Sequence, residues 1–595
     1  MSEGFQDFDD DTTPGQGPPR LAALREAMAA EGLAGVLVPR ADLHQGETVA
    51  PSDERLAWLT GFTGSAGFCV VLSEEAGLFV DGRYRVQGRA QTADEFEIVP
   101  WPDTKPAEWI AERTDGEVGY DPWLHTAKEA TALREGGIAL RPVENLVDRA
   151  WTDRPAPPDA PFVSYPAELA GRTAEEKRAE VALTLREAGQ RAAVLTLPDS
   201  IAWLLNIRGS DVARTPVPHA LAVIHDDARC DLFARAGKAE PVADHLGPEV
   251  TILDAAAFGS GLAGLPGPVR VDPATAPEAV FRILEDAGVA VSRADDPCIA
   301  PKARKTEAEL AGAREAHDRD AAAMVRFLAW LDATAPGDLT EIAVVRALEG
   351  FRRESNLLRD ISFDTIAGSG PNGAIVHYRV TRSTDRTLRE GELLLVDSGG
   401  QYLDGTTDIT RTVAIGEIPE TVRETFTRVL RGMIAVSRAR FPRGVSGAHL
   451  DALARQFLWM AGQDYDHGTG HGVGHYLGVH EGPQGIARRA TTTLEPGMIV
   501  SNEPGHYREG AYGIRIENLV AVRGADAVEG GDDRDMLAFE TLTHVPIDRR
   551  LIVPSMLHAD ERAWLDGYHA EAASRIGPRL EGYAARWLKE ATAPL

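Results

Sequence analysis

Leu393-Leu-Leu-Val-Asp397-Ser-Gly-Gly-Gln-Tyr-Leu-Asp404-Gly-Thr-Thr-Asp408-Ile-Thr-Arg-Thr412 is the stretch that decides how this chain is read. An apolar run ending in a carboxylate predicts a buried strand whose last side chain is acidic. The chain then returns as a second strand carrying Asp408. The two acids are eleven residues apart, too far for one helix face but suited to facing positions across a hairpin. A carboxylate at the end of an apolar strand is costly unless something compensates it. Taken alone, Asp397 is equally compatible with an acid satisfied by backbone donors in a turn.

Moving outward, Asp466-His467-Gly-Thr-Gly-His471-Gly-Val-Gly-His475 sets three histidines among four glycines. Their i, i+4 spacing would suggest zinc on a helix, but the glycines argue against a helix. His480-Glu-Gly-Pro483 fails the H-E-x-x-H pattern, because Gly482 and Pro483 break the helix it needs. The segment therefore reads as a tight loop presenting imidazoles. Met498-Ile-Val-Ser-Asn-Glu503 is a further strand ending in an acid. In Gly513-Ile-Arg515-Ile-Glu517, period-2 alternation puts Ile514 and Ile516 on one face and Arg515 and Glu517 on the other. By itself that Arg–Glu pair is compatible with a surface ion pair. Together, four carboxylates and one histidine on strand ends and glycine turns point to a hard-ligand metal site, favouring Mn²⁺, Co²⁺ or Mg²⁺ over a structural zinc. Four negative charges balance two divalent ions.

The rest of the chain sets the frame. Its 595 residues imply about four domains. A 43% hydrophobic and 26% charged composition excludes wholesale disorder. A net charge of −29 argues against nucleic acid and anionic lipid as partners. No apolar run is long enough to span a membrane. Cys69, Cys230 and Cys298 are far apart and odd in number, which fits reduced thiols in a cytoplasmic protein. Residues 1–19, acidic and proline-containing, read as a disordered leader without signal-peptide character.

A helix–strand unit recurs. Leu21–Glu31 predicts a helix, followed by strands at Gly35–Val38, Phe68–Leu72 and Leu78–Val80. Thr173-Ala-Glu-Glu176 has the capping-box form and opens a second helix. Strands at Val194–Leu197, Ala220–Ile224 and Cys230–Phe233 follow it. The proline-rich stretch Asp153–Pro161 separates the two units. Thr306-Glu-Ala-Glu309 opens a long helix, then alternating strands, hairpins and glycine turns run to about Pro546. A last helix is expected at about Ala559 to Arg575, with Trp564 and Tyr568 on one face. The expected domains are 20–152, 153–300 and 301–546, with a helical extension at 547–595.

These residues resemble the dinuclear pita-bread family of methionine aminopeptidase, prolidase, creatinase and aminopeptidase P. Within it they are most similar to the long, three-domain cytosolic aminopeptidase P group. The resemblance rests on Gly61-Phe-Thr-Gly-Ser-Ala-Gly67, Asp81-Gly-Arg-Tyr84, Gly373-Ala-Ile-Val-His377-Tyr, Val396–Tyr402, Gly405–Thr412, Gly468–Gly474 and Val479–Pro483. It implies a multidomain α/β and α+β fold, with two creatinase-like amino-terminal α/β domains before a pita-bread catalytic domain. It implies five metal ligands, Asp397, Asp408, His471, Glu503 and Glu517, with Asp408 and Glu517 bridging two divalent ions. Mn²⁺ is the first expectation, with Co²⁺ or Zn²⁺ as alternatives. Glu503 is the implied proton shuttle, and His377 and His480 the implied hydrogen-bond donors to substrate. His467 would line the proline pocket, Arg515 would orient the carboxylates, and Arg83 would reach the peptide; Arg83 also reads as a structural turn residue.

The implied activity is release of the N-terminal residue from peptides with proline at position 2. An X-Pro dipeptidase and a non-catalytic peptide binder are the alternatives. Glu517 comes only fourteen positions after Glu503, which leaves little room for the insertion the resemblance leads one to expect in prolidases. Peptide substrates and a second copy of the chain are the expected partners, with no nucleic acid and no membrane.

Overall fold

The computed structural model describes residues 4–595. It divides into two compact units, Asp11–Lys302 and residues 4–10 together with Ala303–Leu595.

The amino-terminal unit contains two six-stranded sheets of matching topology. In the first the order is Glu97–Pro100, Ala76–Val80, Phe68–Leu72, Gly35–Pro39, Val118–Tyr120, Leu140–Pro142. In the second it is Val250–Asp254, Cys230–Ala234, Leu221–His225, Ala192–Leu195, Val269–Val271, Val291–Arg293. Reading across either sheet, neighbours pair parallel, antiparallel, antiparallel, parallel, parallel. The duplication read from the helix–strand order is therefore present in the strand connections. The helix before the second sheet, Ala174–Glu187, starts at the reciprocal Thr173–Glu176 capping box. The stretch 153–161 has no helix or strand, but it is pinned: Arg154 donates to Asp148 and to the Ser52 carbonyl, and Arg235 donates to the Pro157 carbonyl. All three cysteines are buried and free, and burial pushes the Cys230 thiol up to about 12.

The second unit opens with helix Glu307–Ala333, capped by Thr306 and Glu309. Its centre is a three-stranded antiparallel sheet, Ile366–Ser369, Glu392–Ser398, Ile409–Ile415. Beside it in the same unit is a six-stranded antiparallel sheet in the order Arg440–Pro442, Met536–Thr541, Asn518–Gly524, Ile499–Asn502, Gly470–Gly472, Glu481–Ile486. Three helices, Glu341–Arg353, Glu420–Ser437 and Gly447–Trp459, occupy stretches expected to be strands and turns. Glu420–Ser437 contains Thr421, Val422, Thr425, Thr427 and Val429, β-branched residues that lower helix propensity. Burial of Phe426, Val429, Leu430, Met433 and Ile434 along one face outweighs that local preference. Ala559–Ile576 is followed by a further helix, Gly582–Ala591. Leu565, Tyr568, Ile576 and Leu588 lie in the cores of this unit, so 547–595 is integral to it.

The acidic leader is not disordered where it is described. Met1–Glu3 lie outside the described residues, but residues 4–10 pack on the second unit. Phe8 is 3% exposed within a core cluster that includes Val345, Leu348 and Tyr378. Asp7 and Asp9 pair with Arg379 and Arg382. Local composition showed the negative charge; it could not show basic partners 372 and 373 residues away in the chain.

Candidate metal centre

Asp397 is the penultimate residue of Glu392–Ser398, opposite Thr410 on one side and Ile366 on the other. Asp408 immediately precedes the next strand, two residues before Thr410, so the two acids lie diagonally rather than directly opposite. Period 2 still gives them a common face. The offset arises because Gly400–Tyr402 and Gly405–Thr406 pair with each other as a side hairpin. His471 is the middle residue of the short strand Gly470–Gly472, flanked by Ile499–Asn502 and Glu481–Ile486. The glycines around it permit close strand approach: a Cβ on Gly470 would lie 1.9 Å from the Ser501 carbonyl oxygen. Glu503 follows strand Ile499–Asn502 and donates its N–H to the Thr469 carbonyl at 2.7 Å. Glu517 lies between strands Tyr512–Arg515 and Asn518–Gly524, its N–H on the Thr410 carbonyl at 3.2 Å.

These five side chains converge. His471 Nε2 is 3.5 Å from both Asp408 Oδ2 and Glu503 Oε1. One ligand atom each from Asp408, His471 and Glu517 fall within 4.8 Å of one another. His471 Nδ1 is 2.9 Å from the Gly472 carbonyl, which only accepts, so Nδ1 carries a proton and Nε2 is the nitrogen turned to the acids. Ser501 Oγ accepts from the His471 N–H at 2.9 Å and donates to Glu503 Oε1 at 3.0 Å. Thr410 Oγ1 donates to Glu517 Oε2 at 2.8 Å.

Asp397 Oδ1, Asp408 Oδ1 and Glu517 Oε1 are buried with no hydrogen-bond partner. Three orphaned acid oxygens in one buried, mutually interacting set of carboxylates is an arrangement that costs several kcal/mol unless cations occupy it. Burial raises Asp408 to about 6, with the Asp397 and Glu503 charges adding to it and His471 opposing it. Burial, then the charges of Asp408, Glu503 and Asp397, hold Glu517 well above the usual carboxylate range. Burial would lower His471, but its bond to Asp408 and the charges of Glu503 and Asp408 raise it to about 9. Oxygen-rich donors, one imidazole and no thiol fit two hard divalent ions.

Arg515, expected to share a face with Glu517, is buried and pairs with Asp397 instead, Nη2 to Oδ2 at 2.6 Å. Its Nη1 donates to Tyr507 Oη at 2.6 Å, and Tyr507 Oη lies 2.8 Å from His467 Nε2. His467 Nδ1 donates to the Gly468 carbonyl. A polarised chain thus runs from Asp397 through Arg515 and Tyr507 to His467, and both His467 nitrogens are engaged within it. Sequence reasoning missed Tyr507. The signal was the hairpin pairing Gly505 with Arg515 and Tyr507 with Gly513, which leaves Tyr507 and Arg515 diagonal neighbours. It also gave no role to Arg411, which is buried and donates to the Glu517 carbonyl at 2.6 Å and to Tyr568 Oη at 2.8 Å. His480 is exposed, its ring edge-on to His471 with centroids 4.3 Å apart. His377 is half-buried, and the carbonyl of Val376 before it accepts from Arg515 Nη2. Arg83 belongs to the amino-terminal unit, where it grips Asp81 with Nε and Nη2 and lies 5.2 Å over the Tyr84 ring. Those contacts alone give it a structural turn role.

Known proteins carry the same organisation. The profile of metallopeptidase family M24 matches residues 311–524, and that of its C-terminal region matches 535–595. Creatinase/prolidase N-terminal domain profiles match 20–150 and 153–309. A probable Xaa-Pro aminopeptidase P of Neosartorya fischeri is 39% identical, covering 97% of this chain and 92% of its own. One from Paracoccidioides brasiliensis is also 39% identical, covering 97% and 99%. The crystal structure of X-prolyl aminopeptidase from Caenorhabditis elegans, a cytosolic enzyme with a di-nuclear active site, superposes with a TM-score of 0.92 at 33% identity over 97% of this chain and all of that one. The fold and site are those of a dinuclear metallo-aminopeptidase, a hydrolase with creatinase-like domains preceding a pita-bread domain. Within that class, the chain belongs to the Xaa-Pro aminopeptidase P family.

Proposed function

We propose that this enzyme releases the N-terminal residue from peptides whose second residue is proline. The observation that carries the reading is the gathering of Asp408, Glu503 and Glu517 about His471, with Asp397 among the charges acting on Asp408 and Glu517 and three buried acid oxygens left for cations. Asp397, Asp408, His471, Glu503 and Glu517 would hold two divalent ions. Once bound, the ions supply Lewis acidity toward the scissile carbonyl and a water of lowered pKa. Glu503, held by Ser501, accepts the proton of the attacking water and passes it to the leaving proline nitrogen. That nitrogen is tertiary in an X-Pro bond and needs the proton to leave. His377 and His480 donate hydrogen bonds to the substrate and to the developing oxyanion. His467, fixed at both nitrogens, lines the proline pocket, and Arg515 holds Asp397 in place.

Mn²⁺ as resident metal rests on the donor chemistry. A cytoplasmic setting is supported by the cytosolic Caenorhabditis elegans neighbour. A homodimer, and a role for Arg83 in reaching the peptide, belong to the proposal through the family resemblance. The X-Pro dipeptidase alternative is not favoured, because the 39%-identical relatives spanning 97% of this chain are probable Xaa-Pro aminopeptidases P. The test is cleavage of X-Pro-X peptides with chelator and with added Mn²⁺. Turnover confined to X-Pro dipeptides, or unaffected by complete metal removal, overturns the proposal.

A further inference from the structure

His377 sits in a stretch without regular structure: residues 375–386 form turns, with no helix or strand. On one side this stretch is held from within its own unit. Tyr378 Oη donates to Glu341 at 2.9 Å, and Arg515 reaches the Val376 carbonyl. The other side is held by residues 5–10. Arg379, two residues after His377, donates to Asp7 Oδ1 at 2.7 Å and to the Asp9 carbonyl at 3.1 Å. The Arg382 N–H donates to the Phe8 carbonyl at 2.9 Å and its Nε to Asp9 at 2.9 Å, while Ser383 Oγ donates to Asp10 at 2.7 Å. Phe8 is buried in the cluster that contains Tyr378 and Val380, the residues flanking Arg379. The strap is anchored upstream, where the Phe5 N–H donates to Glu349 and Gln6 both accepts from and donates to the Thr365 backbone at 2.8 and 3.3 Å.

We infer that residues 5–10 are a positioning strap for His377, with Phe8 and Asp7 as the positioning residues. The inference rests on the reading of His377 as a hydrogen-bond donor to the substrate. A turn segment lacks a ladder to fix it, and misplacing a reacting group by about 1 Å can cost about 10²-fold in rate. The strap supplies a buried aromatic and a row of charge-assisted bonds at that segment.

The test compares the full chain with one lacking residues 2–10, both loaded with Mn²⁺, on an X-Pro-X peptide. The expected result is a kcat lower by about 10-fold or more, with KM changed by less than about 3-fold. Two metals per chain should be retained. A synthetic peptide of residues 2–12 should restore kcat saturably, and the same peptide carrying Phe8→Ala should not. In a His377→Ala background, the truncation should leave the residual kcat unchanged. If the truncated chain is unstable, D7N/D9N keeps Phe8 in place and should lower kcat in the same direction. Wild-type kcat in the truncated or D7N/D9N chain overturns the inference. So does a loss that tracks metal content, or a full multiplicative loss in the His377→Ala background. Full activity of His377→Ala itself would instead show that the underlying reading of His377 is at fault.

Discussion

Asp408 and His377 separate holding metal from using it. Asp408 is buried with one oxygen facing His471 and the other without a partner. Asp408→Asn removes the charge that two ions would share, so metal analysis should find the site empty rather than half-loaded. Two tightly bound ions per chain in that variant would contradict the ligand set. His377 supplies no ligand in this scheme, so His377→Ala should be folded and fully metallated. Its kcat should fall by about 10²–10³-fold with a smaller change in KM, as for loss of an oxyanion donor. Turnover assays paired with metal analysis check both halves. The residue scale is also where local reading left open whether Arg515 forms an ion pair with Glu517 or orients the carboxylates. Strand alternation gave its face correctly, but the acid it meets is Asp397, 118 residues earlier.

Elements place these residues and can be tested apart from the chemistry. Helix Ala559–Ile576 carries Tyr568, stacked on Trp564 with ring centroids 5.3 Å apart. Tyr568 Oη accepts from Arg411 and donates to the Val545 carbonyl at 2.7 Å, behind the strand end that presents Glu517. Arg411 Nη2 keeps Asn518 Oδ1 and the Val545 carbonyl as acceptors, but Tyr568→Phe leaves the buried Val545 N–H without its acceptor and should destabilise the protein by about 1–3 kcal/mol, read by chemical denaturation. An unchanged denaturation midpoint would mean that the Val545 N–H finds another acceptor. The i, i+4 pair was visible in the sequence; its partner Arg411 was not, because it comes from a different sheet strand.

At the scale of the whole molecule, the metal site couples to stability. Asp408, raised to about 6, makes the metal-free fold lose stability as pH rises toward 6. His471, raised to about 9, does the same from its ordinary value up to about 9. Cations displace these protons, so binding tightens with pH. The Tm gap between metal-loaded and chelated protein should therefore widen from about pH 6 to 9 and narrow below about 6. Calorimetry across that range checks it, and a gap independent of pH would contradict the acid cluster as the binding site.

The sequence by itself determined the duplicated amino-terminal architecture, the capping-box helix starts at Thr173 and Thr306, the strand-end acids and the glycine-bound histidine. Each is a short-range pattern: period-2 alternation, a cap three residues from its partner, a glycine where two backbones touch. Only the tertiary structure decided the diagonal placement of Asp397 and Asp408, the Asp397–Arg515–Tyr507–His467 chain, the helical state of Glu420–Ser437 and the docking of Phe8. Those depend on which distant surface each segment buries against. Burial of a helix face outweighs the helix propensity of β-branched residues, and an acidic stretch is ordered once Arg379 and Arg382 are brought against it.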